Sequence, residues 1–308
     1  MRIGIMSGAV EGPDRSLEGL LELAKRVEDL GFASLWLAQI FGLDAITALS
    51  IVGRETRRIE LGTAVVPTYP RHPFAMAQQA LTAQVASGGR FVLGIGLSHQ
   101  IVIENMLGLS FGRPARHMRE YLGVLAPLLR GEKAEFSGEQ YRVSAALTVP
   151  DAGEVPLLIA ALGSAMLRLA GSLTQGTITW MSGEKSLESH VIPGITAAAA
   201  EAGCPQPRIV VGLPMVLTND PSAAREKVGQ VLQTYGLLPS YRAMLDREGA
   251  AGPADLAIVG DETEFRTRID RLREIGVTDL MAAIIPVEEG AIDRTLECLA
   301  NLIHQVAE

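Results

Sequence analysis

Short runs of consecutive apolar residues recur along the chain. Between them lie longer segments in which apolar residues return every three or four positions. The runs predict strands at Arg2–Ser7, Ser34–Gln39, Ile59–Val66, Phe91–Gly96, Pro156–Leu162, Thr177–Met181, Arg208–Leu217 and Asp279–Pro286. Most are apolar on successive positions, the pattern of parallel strands buried on both faces. In the first intervening segment Leu17, Leu20, Leu21, Ala24 and Val27 follow the helical period, with Ser16 as the cap and Gly31 as the stop. Strand and helix alternating in one chain predict a parallel α/β fold. Eight units with a closing strand near the C-terminus predict a (β/α)8 TIM barrel, a single domain over residues 1–308.

The spacing is uneven. Residues 97–155 separate the fourth and fifth strands, and residues 218–278 the seventh and eighth. The first gap holds a helix over Arg113–Leu129 and a hairpin-like EFSGEQYRV. The second holds two or three helices between Pro221 and Ile275, with Asp255–Asp261 as an irregular link. Both insertions follow strands 4 and 7 at their C-termini, the end where barrels build their sites. The plainer reading is that they only decorate the packing.

The outer helices bear on assembly. The first carries six charged residues (Glu18, Glu22, Lys25, Arg26, Glu28 and Asp29), giving a solvated face. The third, His72–Gly89, has no Asp, Glu, Lys or Arg, and the second is uncharged between Asp44 and Arg54. A barrel helix with no charged face suggests a covered surface, here a homodimer through helices 2 and 3. An ordinary Gln- and Ala-rich surface is the alternative.

Composition narrows the class. Of 308 residues 48% are hydrophobic and 20% charged, a globular balance. The net charge of −8 and the lack of a Lys/Arg-rich run argue against a nucleic-acid groove or an anionic membrane surface. MRIGIMSG goes straight into a strand-like segment, so no leader is expected, and no apolar stretch reaches about eighteen residues, so no membrane span is expected. Cys204 and Cys298 lack metal-ligand spacing and cannot build a disulfide scaffold, which points to a reducing, cytoplasmic compartment.

There is no Gly-x-Ser-x-Gly elbow, no His-Glu-x-x-His and no phosphate loop ending Gly-Lys-Ser/Thr. The five histidines are scattered, so no metal site is expected. Gly94-Ile95-Gly96 lacks the third glycine of a dinucleotide fingerprint and begins inside a strand. What remains are the loops after strands. Val66-Pro67-Thr68-Tyr69-Pro70-Arg71-His72-Pro73 is a proline-braced turn with Arg and His at its tip. Gly96-Leu97-Ser98-His99-Gln100 puts polar side chains at the barrel mouth. Ala161-Leu162-Gly163-Ser164 opens a helix whose free amides favour an anion such as phosphate, or forms a plain cap.

Taken together, LGTAVVPTYPRHP, AQQALTAQVASGGRFVLGIGLSH, RPARHMREYLGVLAPLLRGE and the AALGSAMLRLAG helix start resemble the bacterial-luciferase-like superfamily. Within it they look like the oxidoreductases that use the deazaflavin coenzyme F420. The resemblance runs over essentially the whole chain, from GFASLWLAQ to VGDETEFRTRIDRLREIGVTDL. It implies a non-prolyl cis peptide at Ala64-Val65, backing the cofactor ring, and a cofactor-lining loop at Gly96, Leu97, Ser98 and His99. It also implies a phosphate site at Gly163 and Ser164, bordered by Thr179 to Met181.

The departures matter. The sugar-phosphate dehydrogenases of this group end strand two in Asp-His. Here Gln39-Ile40 stands in that place, leaving Gln39 as a cofactor neighbour and sugar-phosphate oxidation disfavoured. The glutamate those enzymes use as proton donor is matched by His99, either a proton donor or a hydrogen-bonding cofactor neighbour. The leading expectation is an F420-dependent oxidoreductase passing a hydride between the deazaflavin and a small, largely apolar substrate bearing C=C, C=N or C=O. An acidic oligoglutamate tail on that coenzyme calls for a basic rim, with Arg71, Arg113 and Arg116 as candidates or as ordinary surface arginines. The alternatives are an FMN-dependent monooxygenase using reduced flavin and oxygen, and a non-catalytic cofactor-binding barrel.

Overall fold

The structure is a computed structural model and describes residues 1–9 and 13–307. The first half of the chain forms β1 (Arg2–Ser7), α1 (Leu17–Asp29), β2 (Ser34–Leu37), α2 (Ala45–Glu55), β3 (Glu60–Thr63), β4 (Val66–Pro67), α3 (Pro73–Ala86) and β5 (Phe91–Gly96). A π-helix (Ile101–Met106), α4 (Pro114–Leu129) and the hairpin β6 (Ala134–Ser137) and β7 (Arg142–Ala145) follow. Then come β8 (Leu157–Ala160), α5 (Ser164–Leu173), β9 (Gly176–Trp180), α6 (Glu184–Ser186), a π-helical turn (Leu187–Val191), α7 (Ile192–Glu201) and β10 (Arg208–Leu217). The chain finishes with α8 (Pro221–Val231), a 3-10 turn (Gln233–Leu237), α9 (Pro239–Glu248), β11 (Ile258–Gly260), α10 (Glu262–Glu274), β12 (Asp279–Ile284) and α11 (Ala291–Ala307).

Strands β1, β2, β3, β5, β8, β9, β10 and β12 pair in that order, and β12 returns to β1. Every one of these pairings is parallel, so the fold is the expected (β/α)8 TIM barrel, with its long insertions after β5 and β10. Capping followed the sequence too: Ser16 accepts from Gly19 N at 3.0 Å, and Gly31 after α1 has φ +86°.

Burial on both faces explains the unbroken apolar runs. Trp36, Val92, Leu158, Ile178, Val210 and Met281 belong to the cluster inside the barrel. Their chain neighbours Leu35, Leu93, Ile159, Val211 and Leu280 pack outward against the helices. The interior is a fitted solid: a Cβ on Gly62 would lie 2.2 Å from the Trp36 ring, and one on Gly212 2.9 Å from Trp180. At the N-terminal end Arg208 joins Asp279 and Glu60 at 2.6 Å each and lies over the Trp36 ring.

Three departures are local. The third strand breaks after Thr63, and Val66 and Pro67 pair with Ile95 and Gly96. The second strand ends at Leu37, because Gln39 Oε1 turns to accept from Ala45 N at the start of α2. Within the segment expected as an irregular link, Ile258–Gly260 adds to the overhanging half of β10, with Met215 opposite Ile258.

Candidate functional site

At the C-terminal ends of β2, β3 and β12 the inward side chains become small, while Met6 on β1 and Trp180 on β9 stay large. Ala38, Ala64 and Ala283 belong to the interior cluster, above the larger Trp36, Ile178 and Met281. A Cβ on Gly96 would meet Val65 Cγ2 at 2.6 Å and Ala160 Cβ at 3.2 Å, so β5, β8 and the β3–β4 bulge converge there. The Ala64-Val65 bond in that bulge is cis, as the resemblance implied. Large residues below and small ones above leave a floor on which a flat ring can lie.

The loop after β5 forms one side. Leu97, Ser98 and His99 are half-buried, and Ser98 sits at φ +60°. The His99 carbonyl accepts from Val102 N at 2.9 Å and Ile103 N at 3.0 Å, launching the π-helix. Its imidazole lies 5.5 Å from the Tyr241 ring, Tyr241 is 5.5 Å from Tyr235, and Tyr235 is 6.1 Å from Trp180. An aromatic wall therefore runs from the end of β5 to the end of β9, with its middle supplied by the insertion after β10. Burial holds the His99 pKa below its ordinary value and pushes Tyr235 and Tyr241 up. His99 is thus a neutral imidazole near pH 7, able to donate one hydrogen bond and accept another.

The third side is the start of α5. Side chains of Ser16, Asp44, His72, Asp220 and Asp261 cap α1, α2, α3, α8 and α10, whereas α5 begins at Gly163 with no side-chain cap, as do α4, α6, α7 and α9 from their own first residues. Gly163 and Ser164 are exposed, and a Cβ on Gly163 would meet nothing within 4 Å. The loop is braced from behind by His190 Nε2, which donates to the Leu162 carbonyl at 2.8 Å. Unpaired amides at an open helix start suit a phosphate. Thr179 and Met181 are fully buried; Met181 has φ +50° and its N–H donates to the Gly212 carbonyl at 3.0 Å.

Behind the β4 loop lies a network that sequence reasoning did not find. Thr68 Oγ1 and His117 Nε2 are 2.9 Å apart, and His117 Nδ1 lies 3.0 Å from Gln140 Oε1. The Tyr69 ring stacks on His117 at 3.9 Å, and Thr68 N donates to the Gly96 carbonyl at 2.9 Å. Helix α4 and the β6–β7 hairpin thereby hold the loop beside the floor. Burial, then the charge of Glu104, raises Tyr69 to about 12. His72, at the tip of this loop, accepts from Phe74 N as the α3 cap. The candidate rim arginines are all paired: Arg71 with Asp44, and Arg113 and Arg116 with the one carboxylate of Glu139. Shared carboxylates leave that rim far less basic than its arginines alone suggest.

The structure thus gathers Gly96, Leu97, Ser98, His99, Ala64 and Val65 at the mouth, with Gly163 and Ser164 at a neighbouring strand end. Gln39 has its carbonyl oxygen committed to α2, leaving its amide nitrogen to donate. Trp180 falls inside the stretch Thr179 to Met181 that the resemblance named, though it was not singled out there. The residues the sequence did not point to are Tyr235 and Tyr241, whose only signal was their aromatic type within the insertion after β10. Among the described residues no group of three or more His, Cys, Asp and Glu side chains is placed to hold a metal ion, and no helix is long and apolar enough to cross a membrane.

The chain is 28% identical over 302 residues to the 5,10-methylenetetrahydromethanopterin reductase of Methanolobus tindarius, covering 87% of this chain and 91% of that protein. Its fold matches the coenzyme F420 dependent tetrahydromethanopterin reductase of Methanopyrus kandleri with a TM-score of 0.81, at 21% identity over 97% of each chain. It also matches the FMN complex of the oxygenating constituent of 3,6-diketocamphane monooxygenase from Pseudomonas putida, with a TM-score of 0.75 and 17% identity over 97% of this chain and 96% of that one. The profile described as luciferase-like monooxygenase matches residues 1–279. With nine-tenths of its length under that profile and the barrel it requires, the chain belongs to the luciferase-like monooxygenase family.

Proposed function

We propose that this barrel is a coenzyme F420-dependent oxidoreductase acting on a small, largely apolar substrate with an activated C=C, C=N or C=O. The observation that carries the reading is the floor of Ala38, Ala64, Gly96, Ala160 and Ala283 beside the uncapped start of α5. A planar tricycle fits the floor, and its phosphate-bearing arm fits the open amides at Gly163 and Ser164. Reduced deazaflavin, when bound, supplies a hydride equivalent. The chain's own part is to orient, to exclude water and to manage a proton. Val65 and Gly96 back the ring position, Leu97 and Ser98 line its edge, and Thr179 and Met181 close the β9 side. Gln39 offers its amide nitrogen. We read His99, half-buried against Tyr241, as the proton donor in its imidazolium form, the other reading being a hydrogen-bonding cofactor neighbour.

The apolar preference of the site follows from its rim. Phe41, Ile101, Met106 and Leu237 are exposed on loops that follow barrel strands β2, β5 and β10. We further read residues 1–308 as one domain in a reducing, cytoplasmic setting, with Cys204 and Cys298 both free, and as a homodimer through α2 and α3.

The second reading, an FMN-dependent monooxygenase, is favoured by the structural likeness to the FMN complex, since an open helix start accepts either phosphate. Paired calorimetric titration with F420 and FMN at low and moderate salt decides between them. Tight F420 binding with weak FMN binding supports the oxidoreductase. Preference for FMN, followed by oxygen consumption with reduced flavin, overturns it.

A further inference from the structure

Among the described residues, five of the six buried side-chain polar atoms without a hydrogen-bond partner fall on two segments, Tyr69 Oη and Arg71 Nη1 after β4, and Thr179 Oγ1, Trp180 Nε1 and Ser182 Oγ at the end of β9; the sixth, Arg116 Nη1 on α4, faces the carboxylate of Glu139. Every one of these atoms can donate, and the Trp and Arg nitrogens can only donate. A buried donor without an acceptor costs about 1–3 kcal/mol, so such atoms are ordinarily completed by something else. The partner missing here is an acceptor.

Trp180 is the most telling of them. Its side chain is 8% exposed and belongs to the interior cluster with Ala38, Ala64 and Ala283, so it faces the barrel axis at the level of the floor. One edge is fixed against Gly212, and Tyr235 closes on it at 71°. The other tryptophan, Trp36, sits deeper and has its indole N–H satisfied by Ser34 Oγ at 2.8 Å. One tryptophan is therefore a structural plug with a built-in acceptor, and the other a fixed donor without one.

We propose that the Trp180 indole N–H binds the oxygen of a carbonyl substrate, which makes the favoured substrate class a ketone, aldehyde or enone rather than a simple imine or alkene. The assignment rests on the oxidoreductase reading above. In the reduction, a hydride from the reduced deazaflavin adds to carbon as the C=O π bond breaks, and the electron pair moves to oxygen. The oxygen then takes one proton, from His99 or from water, and the deazaflavin is oxidised by two electrons. The indole keeps its proton throughout. Its role is to hold the oxygen and stabilise the charge that develops there, as a preorganised neutral donor does. His99 at the far end of the same aromatic wall is then the group that can part with a proton. Two functions are divided between two side chains.

The test uses the two indole N–H resonances of 15N-labelled protein, assigned by Trp180→Phe, which keeps a ring and deletes the donor. Cyclohexanone and methylenecyclohexane, alike in shape but for the carbonyl oxygen, are titrated into the free protein and into protein loaded with oxidised F420. The expected result is a downfield movement of the Trp180 N–H with cyclohexanone only, while the Trp36 N–H stays in place. Cyclohexanone should bind about fivefold tighter than its hydrocarbon partner, as one neutral hydrogen bond implies, and Trp180→Phe should erase that margin. Equal shifts with both probes, or none with either, overturn the proposal. So does a Trp180 shift produced by F420 alone to which cyclohexanone adds nothing, because the acceptor is then the coenzyme. Absence of F420 binding defeats the oxidoreductase reading instead, and leaves the carbonyl shift in free protein as a separate result. If Trp180→Phe fails to fold, the Trp180 resonance is assigned instead through its nuclear Overhauser contacts to the Tyr235 ring, and the wild-type comparison of the two probes decides.

Discussion

Val65 and Gly96 share one volume: a Cβ on the glycine would stand 2.6 Å from Cγ2 of the valine. The first lies in the bulge between β3 and β4, the second at the end of β5. Ala160 on β8 closes the third side, its Cβ 3.2 Å from the same point. Valine is stiff at χ1, so it cannot swing aside without moving the backbone that carries it. The floor of the mouth is thus held from below by an absent side chain.

Gly96→Ala should therefore push Val65 and its bulge upward. Overpacking of this kind costs about 1–3 kcal/mol, and a displaced floor should weaken coenzyme binding more than tenfold. The double variant Gly96→Ala with Val65→Ala should recover most of the lost thermal midpoint, because the two residues compete for the same space. Melting curves and coenzyme titration of the three variants measure this. Two single effects that simply add would show that the contact does not govern the floor.

The second prediction concerns His99. Burial lowers its folded pKa from the ordinary 6.5, so the imidazolium is scarce at neutral pH. If His99 delivers the proton, the rate of substrate reduction rises as pH falls below 6.5 and levels off below the folded pKa. His99→Gln should remove that limb while leaving coenzyme affinity nearly unchanged. The same depression means that the unfolded chain binds its proton first, so stability falls as pH drops through this window. A pH–rate profile with the same limb in His99→Gln would end the donor role.

The eight barrel strands were legible because burial on both faces writes itself as consecutive apolar residues; Phe91–Gly96 and Arg208–Leu217 match to the residue. Ser16 and Gly31 were legible as local capping chemistry. The short strand β11 was not, since Ile258–Gly260 owes its strand pairing to an overhang on β10 that only the closed barrel creates. Tyr235 and Tyr241 reach Trp180 and His99 across more than fifty residues of chain, a distance that periodicity cannot span. The arginines of the expected rim met Asp44 and Glu139 in the same way, through tertiary contacts. Ala64 and Val65 came from family resemblance alone, because apolar side chains carry no chemistry that spacing can reveal, whereas Gly163 and Ser164 were also legible as a helix start with free amides.

A third prediction tests assembly. The exposed face of α2 and α3 includes Thr47, Ile51, Gln78, Thr82 and Val85, with Ile51 and Val85 each 39% exposed and no charge among the five. Placing acids there, as Ile51→Asp with Val85→Asp, should convert a dimer to a monomer in sedimentation velocity without lowering coenzyme affinity. A wild-type protein that sediments as a monomer would show that this face is ordinary surface.

The last prediction lies at the opposite end of the barrel. Asp279 is buried there, with a side chain only 3% exposed, and binds Arg208 through both oxygens at 2.9 and 2.6 Å. Burial alone would raise its pKa, but the hydrogen bonds and charge of Arg208, followed by the charge of Arg2, hold it below 3.8. A carboxylate with a lowered folded pKa stabilises the protein above its unfolded pKa, and that share is lost as pH falls through the folded value. Asp279→Asn should destabilise by about 1.5–3 kcal/mol at pH 7, since it removes the charged partner of both Arg208 bonds and leaves Arg208 over Trp36 with Glu60 as its remaining carboxylate. Below pH 4 the wild type should approach the variant, so the two melting temperatures converge in acid. Parallel melting curves from pH 7 down to pH 3 would show instead that Glu60, the other carboxylate on Arg208, carries the pair by itself.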